Sequence, residues 1–406
     1  MKKIPIYLLI IIIVFSFASC GNNSSPADTE PDATEPSVTV NVPMSEVEDT
    51  EKEPDEIYTA SFVGCGDNII YYGNVRDAAA LAVSGGREYN FKPAYSDVAE
   101  YVSTADIAFI NQETVMAGDG FELSYYPQFN SPRDLAYDLC EIGFDVINIA
   151  NNHMLDKGGA GLEATIDFWK TMPVTLIGGN SDIDDYNNIK IVEKNGIRIA
   201  FLSYCEMTNG ISLGSSFDIY IPYLEEADFR SQVASVKDKC DFVIASVHWG
   251  EEGAFTPNET QRSYAQKMAD AGVDVIIGHH PHVIQPIEWI KNENGGETLC
   301  VYSLGNFAAE QAYSYNMVGG FISFDIVKEG NSHAVAENVV FEPTVFYFPS
   351  NFYNNHVYFM KDFTENLAQS HGVKTSYGHS IDLATLRGYV TNTIDEEFLP
   401  EHMKAD

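Results

Sequence analysis

From residue 57 onward the chain alternates short apolar runs with stretches of helical spacing, and no other feature restricts the fold as much. Nine runs read as strands: "YTASFVGC", "ADIAFIN", "FDVINIA", "VTLIGG", "IKIVE", "IRIAFLSY", "DFVIASV", "VDVIIG" and "TLCVYSL". Helical spacing between them predicts helices over about 93–103, 131–142, 158–172, 225–239 and 258–272, with Ser131 capping the second and Pro132 at its first position. Strands separated by helices pair mostly in parallel, so the expected class is α/β. Asn195-Gly196 predicts a tight hairpin between two of the runs. "GGFISFDIV" and "AVAENVVFEP" read as an antiparallel pair at a sheet edge. Residues 346–406, with "FYNNHVYFM" and two weak helical stretches, form a C-terminal extension without an assigned function.

The N-terminus has a different character. Lys2 and Lys3 precede the apolar run "IPIYLLIIIIVFSFAS" and then Cys20, so residues 1–20 read as a lipoprotein signal peptide with Cys20 as the lipidated residue. Phe17 stands where such a signal more often has Leu, and the alternatives are a plain cleaved signal or one membrane helix. Residues 21–56 are rich in Ser, Thr, Pro, Asp and Glu and hold too little apolar surface to order themselves, which predicts a disordered acidic tether. Its mean reach is roughly 35 Å. The expected location is the extracytoplasmic face of a bacterial cell membrane, held by lipid.

A formal net charge of −36 argues against nucleic acid as a partner, because phosphate backbones are bound by Lys and Arg. Besides Cys20 there are five cysteines, an odd number without a CxxC, mostly in apolar settings. They read as buried free thiols rather than a disulfide framework or a thiolate metal site.

In open α/β sheets ligands sit beyond the carboxyl ends of strands. Those ends carry Asp67 in "GCGDN", Asn111 and Glu113 in "NQET", and Asn151, Asn152, His153 and Asp156 in "NNHMLD". They also carry His248 and Glu251 in "VHWGEE", and His279, His280 and His282 in "HHPH". Taken singly, a "GD" is usually a turn, "NNH" a cap and "HWG" a core histidine. Five strand tips that all end in carboxylate, amide or imidazole are harder to explain by structure alone. Two carboxylates packed beside imidazoles repel each other unless a cation lies between them. Mixed oxygen and nitrogen ligands without thiolate suit a divalent Mn, Fe, Zn or Co.

"GD", "NxE", "NNHxLDxG", "HWGxE", "GHHPHV" and "YSLGNF", in this order, resemble the capsule-synthesis CapA family, which is associated with poly-γ-glutamate production and related in fold to calcineurin-like metallophosphoesterases. The resemblance covers residues 58–345, within a domain drawn over 57–345. It implies a two-sheet α/β sandwich with a metal centre at the strand ends. By position, Asp67, Glu113 and His282 would hold one ion, and Glu113 would bridge to a second held by Asn152, His248 and His280. His153 would act as general acid with Asp156 orienting it, while Asn111, Asn151, Glu251, His279 and Asn306 would line the substrate site. Phosphoesterases usually open with Asp-x-His, whereas Asp67 is followed by Asn68 and Ile69, and Met154 follows His153 where an acidic residue is common. These departures leave open a one-metal enzyme or a vestigial centre.

The expected function is therefore a surface lipoprotein of capsule or polyglutamate assembly that hydrolyses a phosphoester, or an amide such as a γ-glutamyl bond, with metal assistance. A polyanionic polymer would gain no long-range attraction from so acidic a chain. The rival reading is a non-enzymatic assembly or polymer-binding subunit held by membrane synthase partners. A secreted phosphoesterase unconnected with capsule is a third.

Overall fold

The computed structural model describes residues 56–404, so the signal peptide, Cys20 and nearly all of the tether lie outside the described residues. Strands β1 (Ile57–Asn68), β2 (Ile107–Gln112), β3 (Val146–Asn148) and β4 (Thr175–Ile177) run parallel and form one half of an eight-stranded sheet. A six-stranded sheet follows: β5 (Lys190–Lys194), β6 (Ile197–Cys205), β7 (Phe242–His248), β8 (Val275–His279), β9 (Ile287–Lys291) and β10 (Glu297–Val301), in spatial order 5-6-7-8-10-9. The chain then returns to the first sheet with β11 (Asn306–Ala308), β12 (Val318–Glu329), β13 (Val335–Tyr347) and β14 (His356–Phe359), giving the order 14-13-12-1-2-3-4 with β11 beside β1. This is the expected two-sheet α/β architecture.

All nine expected strands form, and β12 with β13 is the anticipated antiparallel pair, but the pair is interior: β14 pairs with β13 and takes the sheet edge expected for them. Asn195 and Gly196 both have positive φ (48° and 78°), as a two-residue hairpin turn of right-handed twist requires, and they join β5 to β6. The continuous apolar character of "IRIAFLSYC" has a direct cause. Ile197, Ile199 and Phe201 face the core between the sheets, while Ala200, Leu202 and Tyr204 face a second cluster containing Phe229, Val236, Ala265 and Met268 from the helices Phe229–Val236 and Glu259–Ala271. A strand buried on both faces has no polar side to show. Between the sheets, Phe324 of β12 stacks on Phe62 of β1 at 4.7 Å and meets Phe242 of β7 at 6.3 Å.

Helix boundaries differ from expectation where side chains find other partners. Asn258 caps Glu259–Ala271 with a reciprocal box through Gln261, and Gly272 ends it at φ 94°. The helix expected from Ser131 instead begins at Asp134, because the Ser131 hydroxyl bonds Thr114 at 2.7 Å and cannot cap. The region 225–239 splits into a short 3₁₀ turn and a helix capped by Asp228, and 93–103 splits likewise. The five cysteines of the described residues are free thiols, as expected.

Position 345 falls inside β13, and β14 completes the first sheet. Val357, Phe359, Leu386, Val390 and Met403 join the same core as β1. Among the described residues no helix is long and apolar enough to cross a membrane.

Candidate metal centre

The carboxyl ends of β1, β2 and β3 meet those of β7 and β8 at one rim of the sandwich. Asp67 arrives there because β1 can press against the 304–306 segment. A Cβ on Gly66 would lie 1.9 Å from the Gly305 carbonyl, and Asp67 N–H donates to that same carbonyl at 2.9 Å. Only glycine fits such an approach. The turn after β8 is also unusual, since His280 (φ 97°) and His282 (φ 55°) both sit in the left-handed region. Non-glycine residues persist there when surroundings over-determine them. Here His280 N–H donates to Asp67 Oδ2 at 3.2 Å, and Asn316 Nδ2 donates to the His282 carbonyl at 3.1 Å.

Asp67 is the hub. Its Oδ1 accepts from Asn111 Nδ2 at 2.8 Å, and its Oδ2 lies 3.0 Å from His282 Nδ1. Across the site Glu113 Oε1 is 3.6 Å from both His248 Nε2 and His282 Nε2. His248 Nε2 in turn meets Asn152 Oδ1 at 3.0 Å, and the His248 and His280 rings are 4.8 Å apart. Two triads bring their ligand atoms within 4.8 Å of one another: Glu113 with His280 and His282, and Asp67 with Glu113 and His248. The six expected ligands therefore converge, with Glu113 common to both groups. The pairing differs from the expected partition: the Nδ1 of His282 is turned to Asp67, so its Nε2 is the atom that faces Glu113 and His280's group.

The electrostatics of these groups suit a cation. Both Glu113 oxygens are buried without a hydrogen-bond partner. Burial, reinforced by Asp67, pushes its acid well above the carboxylate range. Burial also works against an ionised Asp67, but the His279 imidazole 3.4 Å away and the hydrogen bond from His282 outweigh it and hold Asp67 well below that range. Burial, followed by repulsion from neighbouring imidazoles, keeps His248 well below its usual value and His280 at about 3. Neutral imidazoles beside one reluctant and one ionised carboxylate form a donor set that fits a divalent ion.

His153 stands beside this cage. Its Nδ1 is 2.8 Å from Asp156 Oδ2, which also accepts Phe129 N–H at 2.7 Å, and Phe129 packs edge-on against the ring at 4.8 Å. One imidazole nitrogen is thereby fixed and the ring orientation set.

The five expected substrate contacts have other placements. Asn111 and Asn151 are buried scaffolding: Asn111 holds Asp67, and Asn151 bonds the Gln112 carbonyl at 3.0 Å and accepts from His153 N–H at 3.1 Å. Asn306 is buried behind the turn, with Nδ2 directed to the Gln311 side chain and the Asn316 carbonyl, both at 2.9 Å. His279, the last residue of β8, points into the sandwich, stacked on Phe109 at 5.6 Å with Nδ1 3.4 Å from Asp67. It backs Asp67 instead of facing substrate. Glu251 is exposed; its neighbour Glu252 lines the adjoining cleft instead.

Sequence reasoning missed a relay beneath the site. Ser203 Oγ of β6 donates to Asn148 Oδ1 at 2.5 Å, Asn148 Nδ2 to Asn111 Oδ1 at 2.8 Å, and Asn111 Nδ2 to Asp67. The one available signal was an Asn inside the apolar run "FDVINIA".

Fold and site together define an α/β sandwich protein with a carboxylate–imidazole cage at the rim where its two sheets meet. The family model described as "Bacterial capsule synthesis protein PGA_cap" matches residues 61–311, and the chain belongs to that family. It is 33% identical over 203 residues to "PGA biosynthesis protein CapA" of Bacillus subtilis, covering 47% of this chain and 50% of that protein. To "Capsule biosynthesis protein CapA" of Bacillus anthracis it is 31% identical over 196 residues, covering 47% and 46%. The chain thus spans about half the length of these curated relatives. Among solved structures, a 5'-nucleotidase precursor from Thermus thermophilus aligns with 17% identity and a TM-score of 0.44 over 74% of this chain and 54% of that one. That likeness is too distant to assign an activity.

Proposed function

We propose that this chain is a metal-dependent hydrolase of capsule or poly-γ-glutamate assembly, acting on a phosphoester-type linkage at the outer face of the cell membrane and anchored there by lipid on Cys20. The observation that carries the reading is Glu113, whose two carboxylate oxygens are buried and unpartnered amid His248, His280 and His282. Asp67, Glu113, Asn152, His248, His280 and His282 would hold one or two ions of the Mn, Fe, Zn or Co class, since every donor is oxygen or nitrogen. A divalent ion, when bound, supplies Lewis-acid polarisation and acidifies water.

The chain's own residues do the rest. Asp156 accepts from His153 Nδ1–H and holds the ring in place, so that His153, when both its nitrogens carry protons, would give the Nε2 proton to the leaving oxygen and keep Nδ1–H on Asp156. The Ser203–Asn148–Asn111 relay orients Asp67, in the way outer partners orient metal ligands. Membrane synthase subunits are the partners this reading expects.

The test uses the full chain purified in detergent. Elemental analysis is expected to find at least one transition ion per chain. Hydrolysis of a simple phosphodiester with added Mn should fall about 10²- to 10⁴-fold in His153→Ala, with metal content unchanged. A chain that carries no metal under any loading condition, together with unimpaired capsule formation in a His153→Ala strain, overturns the proposal.

A further inference from the structure

A cleft of about 540 Å³ opens beside His282, within the size range of small-molecule sites. Its walls include Tyr71, Tyr126, Tyr313, Tyr315 and Tyr377. Three of these rings are far more exposed than large side chains normally are, at 71% for Tyr126, 45% for Tyr313 and 42% for Tyr377. An exposed aromatic patch rimming a cleft marks a recognition surface. The polar walls are Glu252, Glu310, Gln311 and Asn316, and among the described residues no lining group is Lys or Arg.

This lining selects a ligand. Polyglutamate or a nucleotide would bring negative charge to walls that hold the Glu252 carboxylate and no Lys or Arg, so attraction would come from bound metal alone. Tyr313 and Tyr315 are stacked on each other at 5.2 Å with an 8° interplanar angle, so no ring enters between them, and Tyr313 also meets His379 edge-on at 4.5 Å; the part of Tyr313 left exposed is a single platform. Asn316 Nδ2 is committed to the His282 carbonyl and Gln311 Oε1 to Asn306, so the cleft is left an amide carbonyl, an amide NH₂ and the Glu252 carboxylate. Burial pushes Glu310 up to about 8, so at neutral pH it is a neutral carboxyl that adds no repulsion. Flat apolar faces edged with hydroxyl or amino groups match such walls: C–H faces lie on tyrosine rings while the rim groups bond amides and carboxylates.

We infer that the tyrosine-lined cleft beside His282 binds a saccharide, neutral or amino-bearing, and would hold it next to the proposed hydrolase site. The inference rests on the reading above for the chemistry at the metal cage but not for the binding itself.

The full chain in detergent is titrated by calorimetry with a glucosamine tetrasaccharide and its N-acetylated form, beside a γ-glutamyl tetrapeptide and a nucleoside monophosphate. Each titration is run chelator-treated and Mn-loaded. Saccharide binding is expected in both states, weakened about tenfold by Tyr313→Ala or Tyr377→Ala, the size of one lost stacking contact. Tyr313→Phe, which keeps the ring, should bind almost as the wild type does, separating stacking from misfolding. No saccharide binding in either state sinks the inference while leaving the metal reading intact. So does γ-glutamyl or nucleotide binding that is lost in the Tyr313 variant. Saccharide binding by a chain that never takes up metal removes the hydrolase reading and leaves the cleft assignment standing.

Discussion

Substituting Glu113 by Gln tests the electrostatic account of the centre without removing any volume. In the metal-free chain Glu113 is fully buried, both oxygens lack partners, and its acid is raised above the ordinary 4.5. A carboxyl raised in the folded state carries no penalty at a pH below its unfolded value. Stability is lost as pH climbs from about 4.5 through the raised folded value, and stays lost above it. Gln keeps the shape, cannot ionise, and brings an NH₂ toward His282 Nε2, which is free to accept because Nδ1 of that ring faces Asp67. Relief of an unpaired buried group is worth about 2 kcal/mol. The compact unit has about 350 residues. Its unfolding entropy is therefore about 0.7 kcal/mol/K, and Tm of chelator-treated Glu113→Gln should rise about 3 °C at pH 8 and match wild type near pH 4. Mn at a hundred times its Kd should raise wild-type Tm by about 4 °C, from about 2.7 kcal/mol of binding, and the variant by less than about 1 °C. Circular-dichroism melts at both pH values give all four numbers. A chelator-treated variant less stable than wild type at pH 8, still raised by Mn to the full extent, would mean that Glu113 is satisfied by its protein neighbours and that no ion belongs there.

Further outcomes follow from the same structure. Asn148→Ala breaks the relay and leaves Ser203 and Asn111 without their partner, so it should destabilise by about 1–3 kcal/mol in urea titrations and weaken Mn binding about 10- to 100-fold. His371 lies far along the sequence from the cage, buried with Nε2 on the Phe346 carbonyl, and burial lowers it from 6.5 to about 4. A lowered histidine contributes stability above pH 6.5 that is lost as pH falls toward 4, here about 3 kcal/mol, and His371→Gln should flatten that part of the stability profile relative to wild type. Metabolic labelling with a fatty acid should mark the wild-type chain and not Cys20→Ala, and equal labelling would remove the proposed anchor.

The strand ends were readable in the sequence for a geometric reason. In parallel β/α units every strand reaches the same rim, so the residues after each apolar run are neighbours whatever lies between them. That logic brought Asp67, Glu113, Asn152, His248, His280 and His282 together across more than two hundred positions. It could not tell which way each side chain points. Alternation along β8 turns His279 inward, but positive φ at His280 and His282 then breaks the alternation, so counting by twos fails where the chemistry lies. Asn148 was hidden for the opposite reason: it ends β3 but lies two residues short of the end of the apolar run "FDVINIA", so pattern reading counts it with the packed interior of the strand. The tyrosine cleft and β14 share another obscurity, since their residues come from loops and from segments whose apolar positions have meaning only beside partners elsewhere in the chain. Ser203 belongs to the second sheet and Asp67 to the first, joined through Asn148 and Asn111, so the seating of one sheet on the other and the aim of the central carboxylate are set by the same hydrogen bonds. A change that shifts the sheets by a fraction of an ångström therefore acts on the metal cage as directly as a change of ligand, and sequence spacing, which sees only one strand at a time, has no means of registering it.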